Sequence, residues 1–293
     1  MGFKILLTEN VSPVGAALFK SLENYPHPVV CPDFTLDDWS DERRVHELLN
    51  STAPALVINP MHWFQAEALS ASNASAILAS ECCTRDLTII HISSASVFCS
   101  FNQSQGAALE TSIPEPDTVS GIALLQVERA FAKANRAIIL RLPWLLDSEL
   151  GIIEEMCSAL SSEQAVVTSE QWRVAPIYVE DVVRAVVAMA QQIFCGANNW
   201  GVYHLSSSDV CSEAEFADCI ARNLTKLHVN IAPIAVSTAD KHFYSGNGWL
   251  QGARCTNDFG VQRRSWRKGI KSKVQGWVDR QIAAGKLPAA ELG

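Results

Sequence analysis

The stretch LTIIHI at residues 87–92 decides the fold of this chain. It is short, apolar and rich in β-branched residues, which is typical of a strand buried on both faces of a parallel sheet. After a polar loop that contains Pro114 and Pro116, residues 119–131 have helical periodicity, and residues 137–144 are strand-like again. This order predicts a strand, a crossover helix and a second strand parallel to the first.

The same alternation of strands and helices runs from Phe3 to about Trp144. It predicts an α/β fold, with a Rossmann-like doubly wound parallel sheet in residues 1–145. The pattern then becomes less regular. We expect residues 146–293 to form a smaller C-terminal α/β lobe of the substrate-binding type that returns in part to the sheet.

The composition limits the class of protein. The chain has 293 residues, of which 48% are hydrophobic, and a net charge of −8. It can therefore bury a full core, and its negative charge argues against nucleic-acid binding. The longest apolar runs are strand-sized, so we expect no membrane span. Because the first strand begins at Phe3, no room is left for a signal peptide, and a cytoplasmic location is predicted.

Two further features of the composition concern possible ligands. The nine cysteines form no CxxC pair and no cluster with metal-ligand spacing, so we expect reduced thiols and no metal site. The segment from Arg263 to Lys273 is strongly basic. It is interpreted either as a solvated helix face or as a surface for an acidic partner or a phosphate-bearing ligand.

Several motifs resemble those of the extended short-chain dehydrogenase/reductase superfamily, and within it the dTDP-4-dehydrorhamnose reductase group. Residues 91–98 are similar to H-I-S-T-D-Y-V-F, residues 119–128 to V-Y-G-x-S-K-x-x-x-E, and residues 140–144 to L-R-x-x-W. Residues 174–185 and 200–206 are similar to the segments that build the substrate lobe in that group. The resemblance extends over nearly the whole chain and implies the same fold.

The positions that carry the chemistry of that group are degenerate. The group uses a Tyr to transfer a proton and a Lys four residues later to lower the pKa of that Tyr and to hold the nicotinamide ribose. Ser120 and Leu124 stand at these two positions. Only Ser94 matches the third, a Ser/Thr that hydrogen-bonds the substrate oxygen, and it is alternatively interpreted as a hydroxyl that caps a strand end.

The glycine-rich loop of the group is degenerate too. The resemblance places Glu9, Ser12 and Gly15 at the three positions of G-x-x-G-x-x-G, and assigns Gly15 to close packing of helix and strand. Ser12 as N-cap and Pro13 at the first helical position still predict a well-formed helix start. Glu9 would repel a pyrophosphate. No cofactor is therefore expected, and NADP would bind weakly; the alternative is that Glu9 turns to solvent and a cofactor still binds.

A ligand cleft is predicted from residues that the resemblance places around the sugar nucleotide of relatives. Aromatic rings suit sugars and bases, and Trp144 is interpreted as a ligand contact or as packing. His62 is weighed as a substitute acid against simple packing beside Trp63. Tyr178 lies in a segment that is structural in relatives. The predicted cleft residues are Asn59, His62, Trp63, Ser94, Trp144 and Tyr178.

Three functions are consistent with these observations. The favoured hypothesis is a non-catalytic protein that retains a site for a sugar nucleotide or another small anionic metabolite, or that regulates a protein partner. The alternative is an NADP-dependent reductase of a 4-keto-sugar nucleotide with a rearranged active site. The third is an interaction module, and a homodimer is compatible with each of them.

Overall fold

The computed structural model describes residues 3–60, 68–98, 106–147, 151–237 and 248–288, with the side chains of 68–71 left out. Within these ranges the core is a six-stranded parallel sheet. Its strands are Ile5–Leu7 (β1), Val29–Val30 (β2), Leu56–Asn59 (β3), Thr88–Ser94 (β4), Ala137–Leu142 (β5) and Gly201–His204 (β10). They lie in the order β10-β5-β4-β3-β1-β2. The predicted α/β fold with a doubly wound parallel sheet is confirmed.

Helices cover both faces of this sheet, as buried parallel strands require. One face carries Pro13–Leu22 (α1), Val179–Phe194 (α7) and Ala253–Phe259 (α9). The other carries Leu36–Trp39 (α2), Glu42–Thr52 (α3), Ala68–Thr84 (α4) and Val119–Phe131 (α5). The helix predicted over residues 119–131 is observed with these bounds as α5. Thr118 caps its start, and its apolar residues repeat with the helical period.

A second hydrophobic core lies in the C-terminal half of the chain. It is built on Ile152–Leu160 (α6), Glu213–Lys226 (α8) and Ile270–Ala283 (α10). The remaining strands form two-stranded pairs: Leu145–Leu146 (β6) with Ile177–Tyr178 (β9), Val166–Ser169 (β7) with Ile234–Ser237 (β12), and Arg173–Val174 (β8) with Cys211–Ser212 (β11). The same half of the chain supplies β10 to the main sheet, next to β5.

The structure defines the starts of two helices in the C-terminal half. The N-cap position of α7 is Tyr178, which makes no side-chain capping bond, and the acidic Glu180 and Asp181 lie in the first turn. There they complement the positive end of the helix dipole. The basic segment is helical only from Ile270, because Trp266–Lys268 form a 3-10 turn and Gly269 precedes α10.

No helix among the described residues is long and apolar enough to cross a membrane. In the same ranges no group of three His, Cys, Asp or Glu side chains could hold a metal ion.

Candidate functional site

The loop between β1 and α1 is closed by the side chain of Glu9. One carboxylate oxygen, Oε2, accepts hydrogen bonds from the backbone N–H of Val11 at 2.7 Å and of Ser12 at 2.9 Å. The other, Oε1, accepts from Ser12 Oγ at 2.6 Å. Ser12 Oγ in turn accepts from the N–H of Gly15 at 3.0 Å, so Ser12 is the predicted N-cap of α1. In this structure Glu9 is buried against the helix start and does not turn to solvent; whether a cofactor still binds stays a prediction.

Gly15 also makes room for the Glu9 carboxylate. A Cβ at this position would lie 2.5 Å from Glu9 Oε1 and 2.7 Å from the carboxyl carbon. The helix–strand packing that the resemblance assigns to this glycine stays a prediction.

A second carboxylate lies near the same end of the sheet. The pKa of the Cys31 thiol, just after β2, is raised to about 11 by burial and by the negative charges of Glu9 and Asp33. A nicotinamide dinucleotide, the cofactor that the resemblance implies, would find the loop amides of Val11 and Ser12 already engaged by Glu9. In this arrangement the loop does not fit a pyrophosphate.

The two degenerate catalytic positions have opposite environments. Ser120 is exposed in the first turn of α5, and its Oγ lies 3.4 Å from Thr118 Oγ1. Leu124 is buried in a hydrophobic cluster. The other members of the cluster are Ala95, Val97, Phe98, Ala108, Leu125 and Leu250. Neither Ser120 nor Leu124 can therefore supply the acid or the cation that the resemblance implies at these positions for proton transfer.

Replacing Leu124 by Lys should lower the free energy of unfolding by about 2–4 kcal/mol, because the ammonium group would lose water inside an apolar cluster. Leu124→Met should cost less than about 1.5 kcal/mol. Urea denaturation of the two variants measures the difference. Equal stability of the two would contradict the apolar environment described for this position.

Gly121 lies between these two positions and was not predicted as a site residue. A Cβ here would clash with the carbonyl oxygen of Ser96. Helix α5 therefore approaches the backbone of the turn after β4 as closely as a glycine allows. The signal in the sequence was the retained glycine of the V-Y-G-x-S-K motif.

Ser94 ends β4 and caps the short 3-10 helix Ala95–Val97. Its Oγ accepts from the N–H of Ser96 at 3.1 Å and lies 3.0 Å from Ser96 Oγ. The side chain is half-buried. The structure thus shows the capping role of this hydroxyl, while contact with a substrate stays a prediction.

A buried charge pair stands directly behind the turn. Arg141 Nη2 donates to Glu128 Oε2 at 2.7 Å, and Nε donates to Oε1 at 2.9 Å. Ser93 Oγ donates to the same Oε1 at 2.5 Å. Glu128 and Arg141 are each only 3% exposed. Glu128 is the Glu of the motif at residues 119–128, and Arg141 is the Arg of L-R-x-x-W. Both residues are kept from the family motifs, and this was the sequence signal that could have indicated the pair.

His204 adjoins this pair from β10. Its Nε2 lies 3.5 Å from Arg141 Nη1, and its Nδ1 lies 3.1 Å from the carbonyl oxygen of Ala108. With Nδ1 as the donor, the neutral ring satisfies both contacts. Burial and the Arg141 charge lower the pKa of His204 to about 3, so this histidine is a neutral part of the core.

Asn59, at the carboxyl end of β3, belongs to a buried network. Its Oδ1 accepts from Thr8 Oγ1 at 2.8 Å, and its Nδ2 lies 2.9 Å from His91 Nδ1. The side chain is 1% exposed. The predicted place of Asn59 in a ligand cleft is therefore not seen, because its amide joins β1, β3 and β4 inside the protein.

The other predicted cleft residues fall into three groups. Trp144 is half-buried, and its ring lies edge-on to Phe216 with centroids 6.1 Å apart. Tyr178 is buried, and its hydroxyl donates to the carbonyl oxygen of Trp266 at 2.5 Å, so it ties β9 to the C-terminal segment. His62 and Trp63 lie outside the described residues.

The basic segment lines a cavity of about 620 Å³ beside the start of α7. Two of its cations are paired there: Lys273 Nζ lies 2.5 Å from Glu180 Oε1, and Arg264 Nη1 lies 3.5 Å from Asp181 Oδ1. The segment is therefore partly neutralised by the first turn of α7, which the interpretation as a solvated helix face did not foresee.

The geometry described above is shared with known proteins. The sheet order, the loop after β1 and the turn after β4 facing α5 are the layout of an extended short-chain dehydrogenase/reductase. The model of the RmlD substrate binding domain matches residues 3–278. The chain therefore belongs to the RmlD substrate binding domain family. No curated protein sequence shows significant similarity to it.

Solved structures of low sequence identity share the fold. A dTDP-4-dehydrorhamnose reductase from Clostridium acetobutylicum has a TM-score of 0.78 and 19% identity, over 93% of this chain and 99% of that one. The Bacillus anthracis reductase in complex with NADP has a TM-score of 0.73 and 18% identity, over 93% and 97%. The Bordetella bronchiseptica enzyme WbmG in complex with NAD and UDP has a TM-score of 0.75 and 16% identity, over 98% and 97%.

Proposed function

We propose that this chain binds a sugar nucleotide at the carboxyl edge of its sheet, in front of the C-terminal lobe. The observation that carries the proposal is the family match, which continues through the C-terminal half to residue 278. Trp144 supports it, because it follows the end of β5 at this edge and remains half-exposed. An aromatic face of this kind suits a sugar ring or a base.

Two functions are compatible with such a site. The comparisons support NADP-dependent reduction of a 4-keto-sugar nucleotide better than they support a non-catalytic protein, since the similar structures include dTDP-4-dehydrorhamnose reductases and one of these holds NADP. A nicotinamide cofactor is plausible on the same ground. In this chain the reduction would require a rearranged active site, because Ser120 and Leu124 cannot replace a cation-activated phenol.

One specific observation favours the non-catalytic function. Leu124 is packed among apolar side chains at the position where the ribose-holding cation is expected. A ligand-binding protein of this kind would either sense a metabolite or regulate a protein partner.

The deciding experiment measures turnover and binding separately. NADPH oxidation is followed with a dTDP-4-keto-6-deoxy sugar as substrate, and the melting temperature is followed with a panel of dTDP- and UDP-sugars without NADPH. A ligand at about 100 times its dissociation constant stabilises the folded protein by about 2.7 kcal/mol. Trp144→Ala should abolish this shift. Trp200→Ala is the matched control, because Trp200 is also half-buried but lies at the amino end of β10.

The outcomes separate the hypotheses. Turnover that is lost in Ser94→Ala establishes the reductase. A melting shift without turnover establishes the non-catalytic function. The absence of both turnover and any shift across the panel would overturn the sugar-nucleotide proposal.

A further inference from the structure

The β1–α1 loop contains an anion of its own. The Glu9 carboxylate accepts three hydrogen bonds, two from backbone N–H groups and one from Ser12 Oγ. Its residue is only 7% exposed. Hydrogen bonds to an ionised carboxylate are short and strong, and a helix N-terminus adds the favourable end of its dipole. The loop is therefore satisfied without any external ligand.

Backbone amides at this place have a general function in Rossmann-like folds. They hold the pyrophosphate of a dinucleotide at the N-terminus of the first helix. We propose that the Glu9 carboxylate is an internal anion in the place of that pyrophosphate, and that a dinucleotide binds only when this carboxylate is displaced. The same N–H groups cannot serve both anions, and the two negative charges repel each other.

Gly15 gives independent support for a loop built around the carboxylate. All three of the atoms nearest to a Cβ at this position belong to the Glu9 carboxyl group, at 2.5 to 2.7 Å. Any larger residue would push the carboxylate off the helix start. The Glu9 carboxylate is covalently attached to the loop, so its effective concentration at the loop N–H groups is high. A free phosphate must compete with it for these N–H groups.

This inference does not depend on the proposed sugar-nucleotide site, and its test uses probes without a sugar-nucleotide substrate. Full-length wild type, Glu9→Gly and Glu9→Gln are compared, with Glu23→Gln as the control because Glu23 is an exposed carboxylate at the far end of α1. Binding of NADPH is measured by calorimetry. Melting temperatures are recorded with and without inorganic pyrophosphate.

We expect Glu9→Gly to melt about 2–4 °C below wild type, as a loss of these hydrogen bonds implies for a domain of this size. Pyrophosphate should restore this loss in Glu9→Gly while leaving wild type and Glu23→Gln unchanged. NADPH should bind Glu9→Gly about tenfold more tightly than wild type. Glu9→Gln keeps the size of the side chain but loses its charge, so its response should lie between the two.

Two results would overturn the inference. The first is NADPH binding by wild type that equals or exceeds binding by Glu9→Gly. The second is the same pyrophosphate response in wild type and in the variants. If Glu9→Gly fails to fold, Glu9→Gln decides, because it keeps an oxygen acceptor for the loop amides. Failure of this test would leave the sugar-nucleotide proposal untouched.

Discussion

Arg141→Met should lower the free energy of unfolding by about 3–5 kcal/mol, the effect expected when one partner of a buried ion pair is removed. The Glu128 carboxylate would stay buried, at 3% exposure, and the hydroxyl of Ser93 would be its remaining hydrogen-bond donor in the network. The large cost arises from the uncompensated carboxylate, since the net contribution of an intact buried pair is much smaller. Equilibrium urea denaturation followed by tryptophan fluorescence measures the loss.

The chain offers a matched control for this prediction. Arg43 and Glu47 form an ion pair on α3 with side chains that are 84% and 61% exposed. Arg43→Met should leave the free energy of unfolding nearly unchanged, because water and salt screen an exposed ion pair. The double variant Glu128→Leu/Arg141→Met should recover part of the loss, because no unpaired charge remains. A single Arg141→Met variant as stable as Arg43→Met would refute the role assigned to the pair.

Acid should destabilise the protein steeply between about pH 6.5 and pH 3, with His91 and His204 as major contributors. Burial lowers the pKa of each histidine from 6.5 to about 3. Above pH 6.5 both rings are neutral in the folded and the unfolded state, so they add no pH dependence. Below it the unfolded chain binds protons that the folded protein excludes, and each histidine removes about 1.4 kcal/mol of stability per pH unit.

Carboxylates titrate in the same range, so the test compares slopes between variants. His91→Gln and His204→Gln should each reduce the slope of unfolding free energy against pH between pH 6 and 4.5 by about 1.4 kcal/mol per unit. Ile139→Val, a packing change on β5, should lower the whole curve by about 0.5–1.5 kcal/mol and leave its slope unchanged. Unchanged slopes in both histidine variants would show that these rings are protonated in the folded protein.

The sequence predicts those parts of the structure that depend on local pattern. Strand β4 and helix α5 follow from β-branched runs, helical periodicity and the cap at Thr118, and these features act over a few residues. The family motifs predict which positions of the site are degenerate. They also predict the helix start at Ser12 and Pro13, where short-range capping determines the backbone.

The sequence does not predict where individual side chains point. Glu9 was expected to face a ligand or solvent, yet its carboxylate folds back because two loop amides and the missing Cβ of Gly15 favour that rotamer. The contacts of Arg141 with Glu128 and His204 join α5, β5 and β10, and His204 is 63 residues away from Arg141 in the sequence. Asn59 likewise depends on the alignment of β1, β3 and β4. Such networks form between elements that only folding brings together, so local sequence patterns do not predict them.

The close approach of Gly121 to the Ser96 carbonyl makes positions 120 and 124 unequal in their tolerance of substitution. The contact fixes the first turn of α5, so a tyrosine could be placed at the exposed position 120 without moving the helix. Position 124 is different, because a lysine there would have to displace a cluster that includes Phe98 and Leu250. Engineering a proton relay into this protein is therefore open at the first position and obstructed at the second, where compensating core changes must come before any gain in activity.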